Sequence, residues 1–227
     1  MRAIKEYKRE AKAALSGNWS TAVGVTAIFV LIIAAIESPS IITSSGLTNP
    51  ANISTSLTLG MSAVGLVALF IMCNLETGYF NSFRVFFEEK DKRMIHNMFN
   101  LGFKNYFHIL GGFLLVGIIC FLGALLLIIP GIILGLGYSM VPFILVEEPQ
   151  LSIPETLKKS REMMKGHKWQ LFLLELSFIG WIFLSIFTLG IGLLWVEPYV
   201  VTTMVAYYED LKEEYKMKQQ DPSLVGA

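Results

Sequence analysis

The chain has 227 residues, of which 54% are apolar or aromatic and only 16% are charged. A soluble domain carries about 25% charged residues to cover its surface, so this composition excludes an ordinary soluble protein and predicts a membrane protein. The 18 basic and 18 acidic side chains balance, which leaves no net field to attract nucleic acid.

Six apolar stretches predict membrane-spanning helices, since a span needs roughly 20 mostly apolar residues. In chain order they are about Trp19–Ile42, Leu57–Phe83, Phe107–Ile129, Gly131–Val146, Trp169–Leu189 and Gly192–Tyr208. The polar segment Glu37–Ser56 predicts a loop, and tight turns are predicted at Pro130-Gly131 and Gly190–Gly192. The expected fold is all-α: one membrane domain over residues 1–220 and a flexible cytoplasmic tail over 221–227.

The basic residues all fall on one side of these six spans. Five precede the first span, five lie between or at the edges of the second and third, five lie between the fourth and fifth, and three follow the sixth. Cytoplasmic segments of membrane proteins carry an excess of Lys and Arg. This distribution therefore predicts that both termini are cytoplasmic.

The polar segments on that side predict short interfacial helices. Tyr7 and Ala11 share one face of the N-terminal segment with basic residues opposite, and Ser152 and Glu155 form a capping box before another apolar face. Helices of this kind bury one face among lipid head groups. They serve either as a docking surface or as ordinary anchors that control topology, and we favour anchoring.

The order of elements repeats three times, as a basic helix, an aromatic entry and a hairpin of two spans. The units cover about residues 1–90, 91–149 and 150–215. Each has a tyrosine followed nine or ten residues later by two acidic residues: Tyr79 by Glu88-Glu89, Tyr138 by Glu147-Glu148, and Tyr199 by Glu209-Asp210. Successive units enter from the same side, which predicts parallel repeats and not inverted ones.

Acidic residues inside the predicted spans are the candidate functional residues. A carboxylate at the bilayer centre costs about 2.5–3.5 kcal/mol, so such residues usually face protein or water. These acidic residues either form a site for a proton or a cation, or make hydrogen bonds that hold helices together. The lack of basic residues at that depth favours the packing role. The candidate intramembrane site comprises Glu76, Glu175, Glu197, Tyr79, Tyr138 and Tyr199.

Three strings, IIPGIILGLGYSMVPFILVEEP, SREMMKGHKWQLFLLELSFIGW and TLGIGLLWVEPYVV, resemble a family of bacterial integral membrane proteins catalogued as domain of unknown function 975. The likeness runs from about Arg2 to Tyr215 and is strongest from Pro130 to Tyr199. It implies a multi-pass helical protein of the bacterial cytoplasmic membrane. No activity, substrate or site residue comes with it.

Motifs of enzymes are missing, including HExxH, GxSxG and a phosphate-binding GxxxxGK[ST]. We therefore expect no catalytic activity, no cofactor and no metal. The expected function is an accessory or scaffold protein that binds the lipid bilayer and another membrane protein. The alternative is a transporter or permease subunit for a small solute, peptide or lipid.

Overall fold

The computed structural model describes residues 2–44, 55–126 and 128–220, and every regular element in these ranges is an α-helix. The predicted all-α class is therefore confirmed, and the predicted tail at 221–227 lies outside the described residues. The helices are α1 Ile4–Leu15, α2 Trp19–Ser44, α3 Thr55–Glu89, α4 Met94–Phe103, α5 Tyr106–Leu126, α6 Ile128–Tyr138, α7 Val141–Glu147, α8 Ile153–Met163, α9 Lys168–Ile186 and α10 Leu193–Gln220.

Four segments of the described chain are long and apolar enough to cross a membrane: Trp19–Ile36, Tyr106–Leu125, Ile129–Glu147 and Lys168–Ile186. Their outer faces are apolar, as shown by one exposed side chain from each: Leu31 (67%), Leu125 (73%), Ile129 (69%) and Ile186 (65%). Large apolar side chains in this position face lipid in a membrane protein. These helices indicate insertion into a membrane.

The predicted second and sixth spans fall in α3 and α10, which are not among these four segments. Helix α10 carries three acidic residues in its first 18 positions, Glu197, Glu209 and Asp210, which lower its hydropathy. At 35 and 28 residues, α3 and α10 are about 52 and 42 Å long, so both exceed a bilayer core of about 30 Å.

Two boundaries differ from the sequence-based prediction. Helix α2 continues to Ser44, so the first part of the predicted loop Glu37–Ser56 is helical. Pro130 lies in the first turn of α6 and not in a turn between helices. Proline is accepted there because the first-turn N–H groups have no partner within the helix.

The predicted fourth span is interrupted between α6 and α7, at Ser139 and Met140. Pro142 has no N–H to donate to the carbonyl of Tyr138, so a continuous helix loses a hydrogen bond here. The short helix α7 that follows carries Glu147 at its end. Glu147 therefore belongs to a short separate helix and not to the apolar helix α6.

Helix α4 packs against α3 with backbone in contact with backbone. A Cβ atom added to Gly78 would lie 1.9 Å from the carbonyl oxygen of Met98, and one added to Gly102 would lie 2.3 Å from that of Asn74. Small residues allow such a close approach of two helices in a membrane protein. The pair Gly78 and Gly102 therefore sets the crossing of α3 and α4.

Helix α1 is docked on the bundle by its apolar face and by polar contacts. Tyr7, Ala11 and Leu15 are buried, and the hydroxyl of Tyr7 donates to Oδ2 of Asp210 at 2.5 Å. Lys8 reaches α9, where its Nζ donates to the carbonyl of Ser177 at 3.1 Å. The predicted amphipathic helix thus covers other helices of the protein with its apolar face.

Candidate functional site

The structure brings two of the three intramembrane glutamates near each other. Glu76 on α3 and Glu197 on α10 are close enough for their charges to interact. Glu175 on α9 is exposed and has no charged neighbour of this kind. None of the three glutamates forms a hydrogen bond or an ion pair with another described residue. The predicted group therefore reduces to one pair of carboxyls, and Glu175 stands apart from it.

The three tyrosines of the predicted site lie in different surroundings. Tyr79 is buried, stacks on Phe29 with 4.2 Å between ring centroids, and shares a 2.8 Å hydrogen bond with the hydroxyl of Thr26. Tyr199 packs edge-on against the ring of Phe178 at 5.4 Å. Tyr138 belongs to a separate apolar cluster, which also contains Ile109, Val141, Leu145 and Leu157. Tyr79 and Tyr199 thus pack in the main apolar cluster, and Tyr138 packs in the second one.

The most extensive polar contacts lie instead at the predicted inner end of the helices, around Lys212 on α10. Its Nζ is 2.8 Å from Oε1 of Glu88, 2.9 Å from Oε1 of Glu147 and 2.6 Å from Oε2 of Glu209. The lysine side chain is only 9% exposed. We call Lys212, Glu88, Glu147 and Glu209 the Lys212 cluster.

Neutral and cationic groups complete the hydrogen bonds of the Lys212 cluster. The hydroxyl of Tyr208, which is buried, donates to Oε2 of Glu147. Arg84 binds Oε2 of Glu88 at 2.7 Å, and its Nε donates to Oδ1 of Asn81 at 3.0 Å. Buried charges persist only when they are paired and hydrogen-bonded in this way.

Asn81 ties the cluster to the break between α6 and α7. Its amide nitrogen donates to the carbonyl oxygens of Thr77 and Pro142, both at 2.9 Å. The second bond joins α3 to the start of α7. Asn81 thus fixes the short helix whose last residue, Glu147, binds Lys212.

The three glutamates occupy matching places in the sequence. Each is the first member of an acidic pair that follows a tyrosine by nine or ten residues. They come from α3, α7 and α10. One lysine therefore contacts one carboxylate from each of the three predicted units.

The electrostatic state of the cluster differs from one member to the next. Burial favours a lowered pKa for Lys212, but hydrogen bonds to Glu209, Glu88 and Glu147 outweigh burial and raise its pKa. Burial opposes ionisation of Glu88 too, but hydrogen bonds with Glu209 and Lys212 and the charge of Arg84 hold its pKa below the usual range. Lys212 and Glu88 are therefore charged at neutral pH.

The pKa of Glu209 is shifted in the opposite direction to that of Glu88. Burial, followed by a hydrogen bond with the carboxyl of Glu88, raises the pKa of Glu209 to about 7. Its Oε1 is buried and has no hydrogen-bond partner among the described residues. The cavity beside it is lined by Arg2, Glu10, Phe87, Glu88, Glu209, Asp210 and Glu213.

We expect the stability of the protein to fall as the pH rises from about 5 to 7. A carboxyl with a raised pKa stabilises the fold fully below its ordinary value of 4.5, and this contribution is lost as the pH passes about 7. One proton gives a slope of at most about 1.4 kcal/mol per pH unit. Glu88 contributes to stability in the opposite sense, because its pKa is lowered. Its contribution is present above pH 4.5 and is lost as the pH falls below that value.

Denaturant unfolding in detergent at several pH values measures this slope. Glu209→Gln should abolish it, and Glu213→Gln, on the exposed neighbouring position, should leave it unchanged. An equal slope in wild type and Glu209→Gln would show that Glu209 does not titrate in this range.

The Lys212 cluster was not among the residues predicted to form a site. In the sequence its glutamates appear only as members of repeated acidic pairs, and Lys212 appears only as one of the basic residues that predict the topology. One feature of the sequence points to the cluster. Lys212 follows Glu209 by three residues, so the two side chains share a helix face. The contributions of α3 and α7 follow from the packing alone.

The fold defines an α-helical protein with several helices suited to a membrane. Residues 124–215 match the family described as "Protein of unknown function (DUF975)", and the predicted resemblance is therefore confirmed over that range. No curated protein and no solved structure matches the chain. The matched segment contains α6 to α10, and so includes Glu147, Glu209 and Lys212 of the cluster.

Proposed function

We propose that this protein is a non-enzymatic accessory or scaffold protein of the bacterial cytoplasmic membrane. It spans the bilayer six times, as three parallel hairpins, with both termini in the cytoplasm. Short interfacial helices cover the inner face. In this role the bundle offers a fixed surface to another membrane protein and to lipid.

The Lys212 cluster is the observation that carries this proposal. One cation binds carboxylates of α3, α7 and α10 at distances of 2.6 to 2.9 Å. Separating these helices would leave buried charges unpaired, which costs several kcal/mol. A scaffold benefits from such a fixed inner end, whereas alternating access requires helices to move apart.

The proposed topology makes a direct prediction about reporter fusions. Fusions after Ser45, Pro130 and Gly190 should report the outside, and fusions after Lys92, Lys159 and Lys216 should report the cytoplasm. The reason is that every basic residue then lies on the cytoplasmic side. A reversed reading at one of these six positions would remove the six-span arrangement.

The second candidate function is a proton-coupled transporter, and one observation favours it. Glu76 and Glu197 interact within predicted spans, where acidic residues often carry protons in transporters. The two functions differ in what Glu197 must do. A packing role needs the shape and the polarity of the Glu197 side chain, whereas proton coupling needs its titration.

Replacing Glu197 by Gln separates the two functions, because Gln keeps the shape and the polarity of the side chain but does not titrate. The scaffold function predicts that Glu197→Gln restores the phenotype of a deletion strain as well as wild type does. The control Glu175→Gln should also restore it, since Glu175 lies apart from the pair Glu76 and Glu197. A Glu197→Gln protein that is folded at wild-type levels but inactive would establish the transporter instead.

A further inference from the structure

A cavity of about 830 Å³ lies between α5, α6 and the region from α8 to the start of α9. Its size is in the range of small-molecule and lipid sites. One wall is apolar and is formed by Leu115 and Ile119 of α5, Tyr138 of α6 and Leu157 of α8. The opposite rim is basic and consists of Lys158, Arg161, Lys165 and Lys168.

Three of the four cations on this rim have no acidic partner in the structure. Within the described residues, no carboxylate lies at ion-pair distance from Arg161, Lys165 or Lys168, whereas Lys158 has a contact of 3.9 Å with Glu162. Among the described residues, Glu162 is the acidic residue that lines the cavity, and it accepts a 3.0 Å hydrogen bond from the hydroxyl of Tyr215. The rim therefore carries an excess of positive charge toward the cavity.

The backbone of α6 brings part of this charge close to the apolar wall. Gly137 has no side chain, and a Cβ atom placed there would lie 3.3 Å from Nζ of Lys168. The hydroxyl of Ser160 donates to the carbonyl of Gly137 at 3.0 Å and holds α8 against α6. The two contacts place an ammonium group beside a helix that is suited to the bilayer.

We propose that this cavity binds an anionic phospholipid of the inner leaflet. The phosphate lies at Arg161, Lys165 and Lys168, and one acyl chain lies along Leu115 and Ile119. Charge complementarity and the adjoining apolar wall identify this ligand, since a soluble anion would gain nothing from the wall. Basic pockets between helices on the cytoplasmic side of a membrane commonly bind anionic head groups.

This inference rests on the cytoplasmic placement of α8 in the proposed topology. The reporter fusions test that placement independently of any lipid. Correct fusion readings together with no lipid binding would therefore reject the lipid site and leave the topology standing.

Native mass spectrometry of the full chain in a mild detergent tests the site, with palmitoyl-oleoyl phosphatidylglycerol as the probe and the phosphatidylcholine of the same chains as the neutral comparison. We expect phosphatidylglycerol to bind at least about tenfold more tightly. The variant Arg161→Gln, Lys165→Gln, Lys168→Gln should remove most of this difference, because each cation near an anionic lipid contributes about fivefold. The matched variant Lys5→Gln, Arg9→Gln, Lys12→Gln removes the same charge from α1 and should leave it within about twofold.

The apolar wall has its own matched pair. Leu115→Trp fills the chain-binding part of the cavity and should weaken phosphatidylglycerol at least about fivefold, the loss expected when one buried contact is blocked. Leu114→Trp, on the neighbouring face that is 59% exposed, should have no such effect. This pair decides the question even where the triple variant does not fold.

Three results would overturn the proposal. Equal binding of phosphatidylcholine would show that the basic rim does not select lipids by their charge. Equal losses in the two triple variants would show that only overall charge matters. Displacement of phosphatidylglycerol by millimolar inorganic phosphate, with no effect of Leu115→Trp, would show that the cavity is a site for a soluble anion.

Discussion

Replacing Lys212 by Met should lower the free energy of unfolding by about 3–5 kcal/mol, because removing one partner of a buried ion pair leaves an uncompensated charge. This single substitution removes three ion pairs, since one ammonium group binds Glu88, Glu147 and Glu209. Methionine keeps most of the volume of lysine, so the change reports the charge and the hydrogen bonds more than the packing. Denaturant unfolding in detergent measures the effect.

Lys216→Met provides the matched control on the same helix. Lys216 is exposed, so its replacement should change stability by no more than about 0.5 kcal/mol. Adding Glu147→Gln to Lys212→Met should recover part of the loss, because a buried carboxylate that has lost its cation is then removed. Equal stability of Lys212→Met and Lys216→Met would mean that the cluster does not hold the inner ends of the helices together.

Replacing Gly78 by Ala should destabilise the protein by about 3 kcal/mol or more, the upper part of the range for overpacking. The added methyl group would lie 1.9 Å from the carbonyl oxygen of Met98 and 2.9 Å from its carbonyl carbon. Both atoms are backbone, so no change of rotamer relieves the clash and α4 must move away from α3. Loss of protection of the α4 amides in hydrogen exchange would report that movement.

Gly117→Ala is the control for this substitution. Nothing lies within 4 Å of a Cβ atom at Gly117, which is also inside a helix. Alanine has a better helix propensity than glycine by up to about 1 kcal/mol, so this variant should be neutral or slightly more stable. A Gly78→Ala protein as stable as Gly117→Ala would contradict the close crossing of α3 and α4.

The amino-acid sequence by itself determined the class of the fold and most helix positions. Long apolar runs can satisfy their backbone hydrogen bonds in lipid only as helices, so composition alone predicts an all-α membrane protein. The predicted span starts at Trp19, Phe107 and Trp169 lie within one residue of the observed starts of α2, α5 and α9. Such boundaries are local, because they depend on where apolar residues begin and not on what the helix touches.

The interruption of the predicted fourth span could not be predicted from the local sequence. The run Gly131–Val146 is apolar throughout, and its hydropathy does not change at Ser139 and Met140, where the helix breaks. Pro142 was a visible cause, but a proline only bends some helices and ends others. Just after the break, the carbonyl of Pro142 accepts a hydrogen bond from Asn81 of another helix, a contact that the local sequence does not reveal.

The site was decided by tertiary structure. Sequence reasoning gave weight to Glu76, Glu175 and Glu197, because an acidic residue in an apolar run has a known cost wherever it points. Packing instead assembled its largest group of charges from Glu88, Glu147, Glu209 and Lys212, which are up to 124 residues apart in the chain. Charges near the ends of spans look ordinary in a sequence, since each alone could face water. Only the approach of three helices buries them together, and burial is what makes their pairing strong.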